Sequence, residues 1–148
     1  MNISDNDDPF DLNRFQEAQE NVYGTALSEL KNGRKLSHWM WFVFPQIEGL
    51  GNSSTAKRYA IKSMEEAKAY LNHPILGSRL IECTKTLLNI KGLSASDIFG
   101  HPDDLKFCSS MTLFEYVASK NSLFSEALDQ YFGGQKDAKT LALIDSTW

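Results

Sequence analysis

The sequence predicts a mainly α fold: a single compact multi-helix domain with a short buried aromatic helix and glycine-containing loops. Three observations carry that prediction. Apolar residues recur at three- and four-residue intervals in one segment after another, and Ser, Asp or Pro opens many of those segments. No alternating strand pattern of useful length occurs, and no internal repeat. With 148 residues, 42% of them hydrophobic, the chain can bury one substantial core.

The elements follow in order. Residues 1–8 are polar and acidic, and are expected to form a flexible N-terminal tail ahead of a domain spanning 9–148. From Asp11, Leu12, Phe15, Gln19, Val22, Ala26 and Leu30 form one helical stripe, with Gly33 as its left-handed stop. Gly24 weakens this segment by about 1 kcal/mol, and a close helix contact is the expected reason for it. Next comes SHWMWFVFPQ, Ser37 to Gln46. Every position from Trp39 to Phe44 is apolar, so periodicity does not separate helix from strand. Ser37 as a cap, Pro45 as a terminator and a single β-branched residue favour a short buried helix, with a strand as the alternative.

EGLGNSS, Glu48 to Ser54, reads as a loop, and Ser54 is expected to cap a short segment reaching Tyr59. Ser63 and Glu66 have capping-box spacing. Pro74 suits the first turn of a longer helix with Leu76, Leu80, Cys83, Leu87 and Ile90 on one face. A short capped turn lies in GLSASDIFGHP. Met111, Phe114, Val117 and Ala118 mark another helix, and LFSEALDQYF and AKTLALI are a final pair split by Gly133 and Gly134.

Composition narrows the function classes. A net charge of -4 argues against a nucleic-acid partner, since Lys31, Arg34 and Lys35 are the one notable basic cluster. The longest apolar run has six residues, Trp39 to Phe44, far short of a membrane span, so no membrane partner is expected. The acidic N-terminus does not read as an export signal, which makes the cytoplasm the expected compartment. Cys83 and Cys108 form no CxxC unit, and His38, His73 and His101 stand far apart, so no metal site and no cofactor is predicted.

Two constellations could carry chemistry. The first is His38, Trp39, Trp41 and Gln46. Histidine titrates near neutrality, indoles offer a stacking face and one N–H, and Gln46 precedes a glycine loop that permits close backbone approach. Trp39 and Trp41 are two residues apart, so they cannot share one face of a helix. The second is Lys106, Ser109, Ser110 and Thr112. A helix beginning near Ser109 or Ser110 would offer free N–H groups to an anion. Neither the glycines of a P-loop nor the Ser-x-x-Lys order is present. A Ser110–His38–Asp104 triad lacks the G-x-S-x-G turn that such nucleophiles use.

Several segments taken together resemble a known family. They are DPFDLNRFQEAQ, ELKNGRKLSHWMWFVFPQIEGLG, AKAYLNHPILGSRLIEC, FGHPDDLKFCSSMTLF and LDQYFGGQKDAKTLALI, covering Asp8 to Ile144. They are similar to the bacterial domain of unknown function 1810 family, some of whose members bear a calpastatin label. The resemblance implies a small, mostly helical protein and supplies no established activity. Calpain inhibition is rejected, because such inhibitors are disordered repeat chains and this sequence is aromatic-rich, capped and non-repetitive.

The leading expectation is a domain that binds a small anionic ligand, bearing phosphate or carboxylate, in an aromatic-walled pocket. His38 and Lys106 are expected to border that common cavity. One alternative is a hydrolase or transferase acting on a nucleotide-like substrate, with His38 as acid or base. Another is a protein-interaction domain with no small-molecule site.

Overall fold

The computed structural model describes residues 7–148 and contains ten helices among them, with no strand. Part of the expected acidic tail, residues 1–6, lies outside the described residues. Asp8 is not loose: its carboxylate accepts the N–H groups of Leu12 at 2.7 Å and Asn13 at 3.0 Å, securing the first turn of the domain.

The stripe expected as one helix from Asp11 is two, α1 (Asn13–Gln19) and α2 (Tyr23–Lys31), with a turn between them. Gln19 lies on that stripe but is polar. Its buried carboxamide donates to the Phe42 carbonyl at 2.6 Å and to the Tyr70 hydroxyl at 3.2 Å, so the α1 end is tied to neighbours rather than to α2. Gly33 adopts φ 73° and ends α2 as expected. The close contact expected at Gly24 is absent, for nothing lies within 4 Å of the place a Cβ would take.

The aromatic run forms a one-turn helix, α3 (Met40–Val43), and not a strand. Ser37 does not cap it. Trp39 holds the cap position, and Ser37 is turned toward Glu29 instead. Phe44 then enters the core, its ring 5.2 Å from Phe107 and 6.0 Å from Phe99 in edge-on geometry. A single parallel bridge between Ile47 and Ile61 ties the glycine loop to the segment after α4 (Ser54–Arg58), whose cap is Ser53 rather than Ser54.

Ser63 accepts the Glu66 N–H and opens α5 (Met64–Asn72), but Glu66 does not complete the box. Its carboxylate faces Arg14 and the Lys62 N–H instead. His73 caps α6 (Leu76–Leu88) through its ring Nδ1, which accepts the N–H groups of Ile75 and Leu76. Ser94 and Asp97 make a complete capping box on α7 (Ala95–Phe99).

The centre of the domain is α8 (Asp103–Val117), packed against α5, α7, α9 (Leu123–Phe132) and α10 (Ala138–Thr147). Every residue from Phe107 to Phe114 is buried. A helix surrounded in this way needs no polar face, which is why its sequence shows no clean amphipathic stripe.

Candidate functional site

A narrow cleft, with a cavity volume of about 30 Å³, lies between α3, the glycine loop and α4. Trp41 and Tyr59 supply aromatic walls, and Ile47, Ala56 and Ala60 supply apolar ones. Gly49 and Gly51 bring the loop close. A Cβ at Gly51 would stand 2.6 Å from that of Ala56, a distance that forces loop and helix apart. The polar members are Gln46, Glu48 and Lys57. The Gln46 backbone carbonyl accepts from Ile61, while its half-buried carboxamide makes no hydrogen bond among the described residues.

Lys106 stands beside this cleft. Its ammonium is 4.7 Å from the centre of the Trp41 ring, close enough for the ring's negative face to attract it. Its nearest carboxylate oxygen is Asp103 Oδ1 at 3.4 Å, but the other oxygen of Asp103 is held at 2.8 Å by Lys35. One carboxylate therefore serves two ammonium groups, and Lys35 has the shorter contact. Arg58, whose guanidinium is 5.6 Å from the Tyr59 ring centre, lines a separate depression with Arg14, Lys62 and Glu66.

The position of Trp41 is fixed from behind. Glu29 gathers the chain just before α3: it accepts the N–H groups of Leu36 at 2.8 Å and Ser37 at 3.0 Å, the Ser37 hydroxyl at 2.5 Å, and the Trp39 indole N–H at 2.9 Å. Burial alone would raise this carboxyl. The Ser37 hydroxyl, the two backbone N–H groups and the indole outweigh it and bring the group from 4.5 down to about 2. Lys35 adds a bond from its ammonium to the Ser37 carbonyl at 2.6 Å. On the far side of α3, Gln19 and Tyr70 both donate to the Phe42 carbonyl.

The predicted residues separate under this geometry. Trp41 and Gln46 line the cleft and Lys106 adjoins it. Trp39 is fully buried and belongs to the support. His38 is exposed, and neither it nor Lys106 is part of the cleft lining, so the expected common border of His38 and Lys106 is not formed. The Glu29 and Lys35 contacts fix the backbone on either side of Ser37, which sends Trp39 inward and leaves His38 in solvent.

The expected helix start at Ser109 is corrected as well. Because α8 begins at Asp103, Ser109, Ser110 and Thr112 lie inside the helix, where their N–H groups are not free for an anion. Their hydroxyls serve packing. Ser109 donates to the Leu105 carbonyl and to Asp137, each at 3.1 Å. Thr112 donates to the Cys108 carbonyl at 2.8 Å and accepts the Asp137 N–H at 2.9 Å. Asp137 in turn caps α10 through Thr140, so this pair of hydroxyls docks α10 on α8. Ser110 is fully buried, and its oxygen has no hydrogen-bond partner among the described residues. Burial also pushes the thiols up, Cys108 to about 11 and Cys83 to about 12, so neither is a thiolate nucleophile at neutral pH.

Tyr59, Lys57 and Arg58 escaped the sequence reading. A short polar segment after a glycine loop carries no signal that its aromatic residue will line the same cleft as Trp41. Glu29 did leave one: it falls three residues after Ala26 on the apolar side of α2, where a carboxylate needs partners.

Comparison with known proteins agrees with the fold. The structure matches the crystal structure of the conserved hypothetical protein Rv1873 from Mycobacterium tuberculosis with a TM-score of 0.91 and 54% sequence identity. The match covers 94% of this chain and 99% of that one. No curated protein shows significant similarity. No helix among the described residues is long and apolar enough to cross a membrane. Residues 9–144 match the family model described as "Protein of unknown function (DUF1810)", and the chain belongs to that family.

Proposed function

We propose that this protein is a binding module for a small anionic ligand, bearing phosphate or carboxylate, received at the Trp41–Tyr59 cleft. The observation that carries the reading is Lys106. Its ammonium rests on the ring of a cleft wall, while its nearest carboxylate among the described residues, Asp103, is drawn more closely to Lys35. That leaves positive charge beside an apolar slot, the combination ligand sites commonly use. The unpaired carboxamide of Gln46 and the ammonium of Lys57 add donors at the same opening. Glu48 is the one acid in the lining; it is exposed, so water weakens its repulsion of an anion.

Thermal unfolding with a panel of phosphate, nucleotides and carboxylates tests this. A compound present at a hundred times its Kd should raise Tm by about 5–10 °C. Lys106→Gln should shrink that rise while melting close to the parent in the absence of ligand. A panel in which no anion moves Tm, or a rise untouched by Lys106→Gln, contradicts the reading.

A further inference from the structure

The chain between α2 and α3 alternates in direction. Lys35 turns inward to Asp103, and Ser37 and Trp39 turn inward to Glu29. Arg34, Leu36 and His38 are exposed. Leu36 is 70% exposed, more than any other large hydrophobic residue among those described. The bonds that hold this segment use its backbone. The Lys35 N–H donates to the Ile98 carbonyl, the Leu36 and Ser37 N–H groups donate to Glu29, and the Ser37 carbonyl accepts from the Lys35 ammonium. None of these bonds uses the Leu36 side chain, so the fold does not require a leucine here. Leu93, 43% exposed, extends the apolar surface. A Cβ at Gly33 would stand 2.9 Å from its Cδ1, so Leu93 lies against the turn that leads into the segment. Exposed apolar surface rimmed by charge is the composition of a protein-binding face.

The charges around this surface decide the kind of partner. Lys31 and Arg34 are exposed and make no ion pair among the described residues. The acids of the same region are all engaged. Glu29 holds Ser37, Trp39 and two backbone N–H groups, Asp103 holds Lys35 and Lys106, and Asp97 belongs to the capping box of α7. Unshared positive charge therefore surrounds an exposed leucine, in a chain whose net charge is -4. We infer that Leu36, with Leu93, is the contact point of an acidic protein partner, whose apolar socket receives Leu36 and whose carboxylates meet Lys31 and Arg34. A side chain that projects this far enters the surface of a partner, and a segment already held in place lowers the ordering cost of the complex. Neither leucine lines the Trp41–Tyr59 cleft, so this inference is independent of the ligand proposed there.

A photo-crosslinking amino acid placed at His38 of the intact protein, expressed in its source cells, captures a protein that docks beside Leu36. The captured protein is then purified and titrated by calorimetry with the parent, Leu36→Asp and Arg34→Glu. The parent should bind it, and Leu36→Asp should lose at least about tenfold in affinity. Arg34→Glu should weaken binding and flatten its dependence on salt. Both variants should melt with the parent, because neither side chain is packed in the core. Capture of a protein whose affinity ignores both variants, or no capture at all, overturns the inference. Loss on Leu36→Asp with no effect of Arg34→Glu or of salt refutes the acidic rim. Crosslinks between two copies of this chain, with a dimer in sedimentation that Leu36→Asp dissociates, also overturn it, since the face then pairs copies.

Discussion

Arg14→Met destabilises the protein by about 3–5 kcal/mol, the expected consequence of stranding a buried carboxylate. Arg14 and Glu66 are 7% and 2% exposed, and their nearest atoms are 2.7 Å apart. All the guanidinium nitrogens are used. Nε donates to the Arg58 carbonyl, Nη1 to the Phe10 and Asp11 carbonyls, and Nη2 to the Ala60 carbonyl and Glu66. The side chain joins α1, the end of α4 and the start of α5, and its loss also loosens the segment that carries Tyr59. Denaturant unfolding of the single variant and of Arg14→Met/Glu66→Leu checks the cause. The double variant should recover most of the loss, because two apolar groups replace the pair and no charge is left alone. A single-variant cost below about 1 kcal/mol would deny the pair this role.

Glu29→Gln costs about 2–3 kcal/mol and removes part of the protein's acid sensitivity. The amide oxygen can keep the three N–H groups that Oε1 accepts, but without the negative charge that strengthens them, and the NH2 group takes the place of the oxygen that accepts the Ser37 hydroxyl. The sign with pH follows from the lowered carboxyl. The folded protein holds the group near 2 against an ordinary 4.5, so its stabilisation is complete above pH about 4.5 and is lost as pH falls toward 2. Urea midpoints measured between pH 6 and pH 2.5 should fall less steeply for Glu29→Gln than for the parent. Parallel curves would show that Glu29 does not hold the loop as a carboxylate. The variant should also weaken binding at the cleft, since Trp41 follows directly from the segment that Glu29 organises.

These two residues mark the limit of what the chain discloses by itself. Caps and stops are local, and Ser63, Ser94 and Gly33 act where spacing placed them. Phe44 declared itself as core because aromatic residues in runs seldom find another place. Arg14 and Glu66 meet across 52 residues, and no short-range pattern encodes a pairing of that kind. The hydroxyls of Ser109 and Thr112 misled for a related reason. Their partner Asp137 lies well downstream, and without it they resemble the opening of an anion site rather than the seat of α10.

The candidate site was legible in part. Trp41, Gln46 and Lys106 come together, and the glycine loop closes near them, because α3 and α8 meet where Phe44 enters the core. Tyr59 reaches the same place through Arg14, which draws the end of α4 inward by the Arg58 and Ala60 carbonyls. His38 does not, although it lies only three residues from Trp41. A one-residue step through the chain at Trp39 separates solvent from core, and the Glu29 contacts that set this step are tertiary.

The most direct measurement follows the indole N–H signals of Trp39 and Trp41 by proton–nitrogen correlation NMR during titration with AMP and with inorganic phosphate. Trp41 should shift with the anion that binds and stop shifting at saturation, while Trp39, bonded to Glu29 inside the core, stays in place. Saturable binding of either anion that leaves the Trp41 signal unmoved would put the ligand elsewhere on the protein and contradict the account.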